Sequence, residues 1–280
     1  MTNLSTRTNL NPYHSIMRRV LVAAGAGTVA ISECTIADNQ INGISAYGAT
    51  LNISHSDISR NQKDGIHIEV LPAVVGSVGS VTFGSHTISQ SNISKNVGSG
   101  VSGGFGSVSM LQSKLFDNVL GGILLDNPTT VDIRNNFIAK NGSFGSPAGG
   151  IRAYAEPGSH FEFNTVVGNF SGNMDEAGII CDQSNLYKLP LIGNLIFKNT
   201  GVGNSQVSGG CEPGNSLLAA PQAGAGFRSD TDFHLTAASP PVILDAVDCS
   251  PTTTVDIDGS SRPQGTRCDL GADEYEPDAP

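Results

Sequence analysis

His67 is flanked in sequence by two carboxylates, Asp64 and Glu69, and Arg152 lies close to Tyr154 in a chain that also carries Asp126 and Asp182. A histidine among acids can move a proton near neutral pH, and an arginine can hold a carboxylate through paired N–H donors. Those are the parts a lyase needs on a sugar acid: a base at the C5 proton, and a cation or arginine that stabilises the carboxylate. Asp64, His67, Glu69 and Arg152 are therefore the catalytic candidates. Asp126 and Asp182 have a second option, because a pair of carboxylates can hold calcium, a cation that takes oxygen ligands. Tyr47 and Tyr154 supply rings, which stack on sugar faces.

What places these residues is a repeat. Asn39, Asn61, Asn96, Asn118, Asn141, Asn169 and Asn199 each follow an aliphatic residue by three positions: Ile36, Ile58, Ile93, Leu115, Ile138, Val166 and Ile196. Five positions before each lies a small or amide residue: Cys34, Ser56, Ser91, Ser113, Asn136, Asn164 or Asn194. The shortest periods are 22 and 23 residues, and six of the seven asparagines lead to a glycine followed by an apolar residue. Such a period identifies a solenoid, whose repeats bury their apolar faces on one another. Runs such as Val29-Ala30-Ile31-Ser32 and Gly65-Ile66-His67-Ile68-Glu69 alternate apolar and polar, the period of a strand with one face in the core. Asparagine tolerates left-handed backbone and can bond to nearby backbone groups, so it suits the corner between two strands. Stacked once per coil, the amides predict a structural ladder.

Leucine-rich repeats also carry asparagines at a similar period, but they need an amphipathic return segment. This chain prefers Ile and Val, breaks with Gly, Ser and Asn, and has no helical run, so a parallel β-helix fits. The segment from Val70 to Thr87, rich in Val, Gly and Ser, reads as an insertion at one corner.

On this frame the outward positions after the glycine form two columns. One is Ser45, His67, Ser102, Leu124, Arg152, Ile180; the other is Tyr47, Glu69, Gly104, Asp126, Tyr154, Asp182. At a strand spacing of about 4.8 Å they make a rigid strip of glycan-binding candidates: Tyr47, His67, Glu69, Asp126, Arg152, Tyr154 and Asp182. The plainer reading is a solvated face on which Arg152 pairs with Asp126 and Asp182. The His67 and Arg152 clusters fall three coils, roughly 14 Å, apart, too far for one catalytic centre. The chain also lacks the Asn-Thr-Asp, Asp-Asp and Gly-His-Gly signatures of pectin hydrolases.

The net charge of −10 belongs mainly to the tail. From Asp230 onward there are eleven acidic and two basic residues, net −9, which leaves fourteen acids and thirteen bases, net −1, for the first 229. The sequence offers no basic stripe for nucleic acid and no apolar stretch long enough to span a membrane. Arg18-Arg19 followed by Val20 to Ile31 has the outline of a signal peptide, but Val29 and Ile31 fall in the repeat register, so two strands around Gly25-Ala26-Gly27 is the preferred reading.

No two of the five cysteines have Cys-x-x-Cys spacing, which argues against a zinc site. Cys34 falls in the small-residue column and reads as a buried thiol. Cys249 and Cys268 bracket a tail loop and are the stronger disulfide candidate; Cys181 and Cys211 fall near equivalent points of successive coils and are a second. Two bridges would indicate an oxidising compartment. Asp256-Ile257-Asp258-Gly259 looks like the opening of a calcium loop, but Arg267 stands where a closing acid would be. Asp256 and Asp258 are then weak metal candidates whose carboxylates more simply tie a cap together.

The tail carries four phrases: DFHLTAASP from Asp232 to Pro240, ILDA from Ile243 to Ala246, DIDGSSRP from Asp256 to Pro263, and CDLGADEY from Cys268 to Tyr275. Together with the asparagine coils, these resemble bacterial secreted right-handed parallel β-helix proteins of the choice-of-anchor type, with a pectate-lyase-like solenoid, over roughly residues 20 to 276. The resemblance implies right-handed coils, export and often a cell-surface location, and it implies no defined activity. The usual entry segment is not recognisable and no sorting motif follows Tyr275.

The expectation is therefore an all-β chain: a single right-handed parallel β-helix of about seven coils. Residues 1–19 form an N-terminal segment, 20–229 the coils, and 230–280 an acidic C-terminal cap and tail. The expected function is an extracellular or cell-surface protein that binds a polysaccharide or cell-surface glycan, or serves a structural or adhesive role. The alternative is a polysaccharide lyase, or a related hydrolase or epimerase, acting on a uronate polysaccharide. No cofactor is required on either reading, with calcium the one candidate.

Overall fold

The structure, a computed structural model, describes residues 16–17, 21–24, 27–69, 84–172, 176–182, 188–201, 205–219 and 224–276. Arg18 to Val20, the Gly25-Ala26 turn and most of the expected insertion, residues 70–83, lie outside the described residues. Every described element is a strand, and the coils stack through parallel ladders. One sheet is built from the short strands that precede the asparagines, including Thr35–Ala37, Asp57–Ser59, Asn92–Ser94, Lys114–Phe116, Phe137–Ala139, Thr165–Val167 and Leu195–Phe197. The strands after the glycines make a second ladder, including Ile44–Tyr47, Ile66–Glu69, Ser99–Gly103, Ile151–Ala155 and Glu176–Asp182. A third ladder carries the next strand of each coil, such as Thr50–Ser54 and Gly106–Leu111. It joins the second because Gly121–Arg134 runs unbroken through both. Leu21–Ala24 and Thr28–Ser32 pair in register with Ile44–Tyr47 and Thr50–Ser54, so this stretch consists of solenoid strands.

Period-two alternation places Ile44, Ile66, Val101, Ile123, Ile151 and Ile179 in one fully buried column of a single continuous core. At about 25 cal/mol per Å² of apolar surface removed from water, this stacking is the main favourable term. Each coil then turns at two corners that share a device. The residue before the asparagine is left-handed: Asp38 (φ 60°), Arg60 (54°), Lys95 (57°), Asp117 (54°), Lys140 (57°), Gly168 (65°) and Lys198 (55°). At the other corner Glu33, His55, Gln90, Gln112, Asn135, Phe163 and Gly193 do the same, each ahead of the small-or-amide column. The asparagine thus does not itself take the left-handed turn, as the sequence suggested; it follows the turn, and its amide is what the corner uses.

Two ladders result. Asn39, Asn61, Asn96, Asn118, Asn141 and Asn169 each donate from Nδ2 to the Oδ1 of the next, at 2.7–3.0 Å, and their backbone N–H groups reach the same oxygens. In the other column Ser56, Ser91 and Ser113 accept from the backbone N–H one coil below, and Asn136, Asn164 and Asn194 continue the series to Ser216. Glycine follows because space is gone: a Cβ on Gly65 or Gly100 would lie 2.7 Å from the carbonyl oxygen of the next coil's glycine.

The acidic tail lies along the flank of the coils. Phe233, Leu235, Ile243, Val247, Ile257 and Leu270 form a second core with Phe137, Val167, Leu195 and Phe197 of the first sheet. Ser250, Thr252 and Thr253 donate hydroxyls to buried Glu162 at 2.6–3.0 Å, and the Ala272 N–H reaches Thr165 Oγ1 at 3.0 Å. The cap is therefore a lateral buttress that covers an otherwise exposed sheet face.

Candidate functional site

The first outward column is as the repeat implied. Ser45 pairs with His67, His67 with Ser102, Ser102 with Leu124, Leu124 with Arg152 and Arg152 with Ile180. In the second column Tyr47 pairs with Glu69 and Tyr154 with Asp182. Between those pairs the strip departs from the expected line. The Ser99–Gly103 strand ends before Gly104, and a register shift between Leu125 and Thr129 puts Asp126 in a bulge. Ser45, Ser102 and Ile180 are also buried, at 2%, 7% and 5% exposure, so the open surface is two patches rather than one run.

The lower patch holds Tyr47, His67 and Glu69. The Tyr47 and His67 rings meet edge to face at 6.4 Å. Ser102 Oγ donates to Asp64 Oδ2 at 2.7 Å and sits 2.8 Å from His67 Nδ1. A serine has one hydroxyl hydrogen, and Asp64 takes it, so His67 Nδ1 must carry a proton and donate to Ser102. Nε2 faces Glu69 Oε2 at 3.5 Å and Nδ1 lies 3.6 Å from Asp64 Oδ2. The Asp64 carboxylate, accepting from the imidazole, raises the His67 pKa against its burial, with Glu69 adding to it. Burial pushes the Asp64 carboxyl up, but donors from His67, Ser102 and the Ser99 amide outweigh it and hold the carboxyl below its ordinary value. This environment makes His67 a proton holder and a cation more readily than a free base. Ser102, its partner across 35 residues, had only a column place in the sequence; a contact between coils leaves no local signal.

The upper patch holds Arg152, Tyr154, Asp126 and Asp182. Arg152 Nε donates to Asp182 Oδ2 at 2.5 Å, and Nη1 lies 3.9 Å from Asp126 Oδ1. The two carboxylates named as calcium ligands thus flank a guanidinium. Three ladder steps separate His67 from Arg152, so the structure does not bring the two candidate clusters together.

In the tail, Asp256 Oδ1 accepts from the Asp258 and Ser260 N–H groups and Oδ2 from the Glu274 N–H, which is the role of a turn-former. Asp258 Oδ2 lies 2.9 Å from His234 Nε2, and Asp232 meets His234 Nδ1. His234, Asp258 and Asp273 bring ligand-type atoms within 4.8 Å of one another, a grouping the sequence did not single out because thirty-odd residues of loop separate its ends. Arg262 and Glu274, both fully buried, pair at 2.6 Å. Cys181–Cys211 and Cys249–Cys268 are disulfides, each with Cα atoms 5.2 Å apart, and Cys34 is a buried free thiol.

Residues 19–212 match the family described as the right handed beta helix region, more than half of the chain. The protein belongs to that right-handed β-helix family. Among solved structures, the crystal structure of pectate lyase Pel9A is similar, with a TM-score of 0.57 and 16% identity over 88% of this chain and 72% of that one. At that identity the likeness is one of fold. No curated protein matches the sequence.

Proposed function

We propose that this is an extracellular or cell-surface β-helix protein that binds an extended glycan on the outer face of its second ladder, in a binding or adhesive role. The observation that carries this reading is the Arg152–Tyr154–Asp182 patch, held in register on adjacent rigid strands and partly open to solvent. A ring beside a guanidinium and a carboxylate offers a sugar both a stacking face and donors and acceptors for its hydroxyls. Tyr47, His67 and Glu69 repeat that combination lower on the same face, which suits a chain of sugars rather than a single one. Two disulfides favour an oxidising compartment. The reading needs neither cofactor nor metal.

The second reading, a polysaccharide lyase or related enzyme, draws support from the pectate-lyase-like fold and from His67 among carboxylates. Against it stands the separation of the two clusters by three ladder steps. Incubation with a panel of uronate polysaccharides, following absorbance of the unsaturated ends a lyase generates, separates the readings. The binding reading predicts no product together with retarded migration in a glycan-loaded gel. Product formation would instead establish the enzyme.

A further inference from the structure

The left-handed corner position just before each ladder asparagine forms a column of its own down one edge of the solenoid. At its lower end Arg60 is tied to Asp38 by two hydrogen bonds, at 2.9 and 3.0 Å. Higher up the column carries Lys95, Lys140 and Lys198, all exposed and all left-handed. Asparagine, aspartate or glycine adopts this backbone more cheaply than lysine, so local geometry does not ask for lysine here. Among the described residues every ion pair is made by arginine or histidine; no carboxylate lies within 4.0 Å of these ammonium groups.

The tail turns this edge into a groove. Where it folds against the first sheet it leaves two neighbouring cavities, of about 640 and 420 Å³, that share Lys140 and Phe233 in their walls. Lys198 and Phe227 line the larger, and Lys95 and Lys114 the smaller. Phe233 stacks on Phe116 at 6.0 Å and meets Phe227 edge to face at 5.3 Å, so an aromatic floor runs between the lysines. Asp117 and Asp230 also line the groove, which leaves four ammonium groups against two carboxylates on a chain of net charge −10.

We propose that this groove is a second saccharide site, specific for an acidic sugar chain. Lys140 and Lys198 bind its carboxylates or sulfates, and the exposed part of Phe227 packs on a ring face. Lysines recur at every second coil, a spacing of about 10 Å, so the surface fits a polymer with regularly placed charges better than a compact anion. The interleaved aspartates and the acidic chain disfavour nucleic acid, whose binding calls for an unbroken basic stripe. The inference takes the glycan as ligand class from the reading above and assigns it a different surface, built by this chain's own tail.

Calorimetric titration of the intact protein with hexagalacturonate, with sulfated dextran fragments, with neutral dextran fragments and with an oligo-dT strand tests it. The expected result is binding of the two acidic saccharides, weakened at high salt, with neither neutral dextran nor oligo-dT as tight; the acidic probe that binds tighter names the source of the charge. Lys140→Gln with Lys198→Gln should weaken the acidic saccharides tenfold or more at an unchanged melting temperature. Tyr154→Ala, on the other face, should leave the lysine-dependent part of that binding in place, whatever it does to binding on the second ladder. An unchanged affinity in the double variant, or oligo-dT bound as tightly as the saccharides, overturns the groove. Acidic saccharide lost with Tyr154→Ala but kept in the lysine variant also overturns it, while leaving the second-ladder reading intact.

Discussion

Asn199 donates from Nδ2 to Gln206 Oε1 at 2.9 Å, and Gln206 occupies the position that glycine holds in the six preceding coils. The asparagine ladder therefore ends on a side chain borrowed from the neighbouring strand: the residue that breaks the glycine rule supplies the amide that the next asparagine would have supplied.

The ladder's interior is its most expensive point to break. Asn118 is fully buried; its Oδ1 accepts from the N and Nδ2 of Asn96, and its Nδ2 donates to Asn141 and to Ile93 O. Asn118→Ala leaves several buried groups without partners and should cost about 3 kcal/mol or more. Gln206→Ala, at the half-buried end where water can substitute, should cost less. Denaturant unfolding of both variants checks the order.

His86 is buried with no hydrogen-bond partner on Nδ1, and burial lowers its pKa from 6.5 to about 4. The unfolded chain therefore binds more protons between those values, and stability is lost as pH falls from 6.5 toward 4. His86→Leu should remove that part of the acid dependence. Melting temperatures of both proteins across this range give the answer.

The tail carries the opposite dependence. Burial works against a charge on His234, but Asp258 and Asp232 outweigh it and lift the pKa from 6.5 to about 9. Here the folded state holds the extra proton, so the stabilisation is complete below about pH 6.5 and lost as pH rises through about 9. Asp273, raised by burial to about 7, adds a loss on the same side as pH rises above 3.8. Proteolysis of the tail should accelerate from pH 6.5 to 9, and His234→Gln should flatten that rise.

The Cys249–Cys268 bridge, at a sequence separation of 19, closes a loop whose hydroxyls hold Glu162. Replacing both cysteines by serine should lower stability by about 2 to 4 kcal/mol on the loop-closure estimate. Loss of the contacts at Glu162 in a spectrum of the variant would accompany it.

Much of this molecule is legible in its sequence because a solenoid repeats one local rule. Ile-x-x-Asn and Gly-Ile specify the coil, the buried column and the outward register from Ser45 to Ile180. What escaped are features with no period. Asp126 leaves its column at a bulge, and the column that sets Ser102 beside His67 does not say that Ser102 also bonds to Asp64, a corner residue of the coil below. The tail's motif phrases predicted a cap, but hydrophobic phrases do not say which sheet face they will cover. Lys140 and Phe233 consequently meet in a groove that no spacing in the chain encodes.

The central claim is that the open face around Arg152 and Tyr154 holds a glycan, and paired substitutions on one strand test it most directly. Arg152 and Tyr154 are partly exposed, whereas Ile151 is buried beside them. Measured by glycan affinity and by melting temperature, Arg152→Ala and Tyr154→Ala should each weaken binding by about 1 to 2 kcal/mol. Both should shift stability by no more than about 0.5 kcal/mol. Ile151→Ala should lose about 2 to 5 kcal/mol of stability from the cavity it leaves. Full glycan affinity in both exposed variants, with folding intact, would contradict the account.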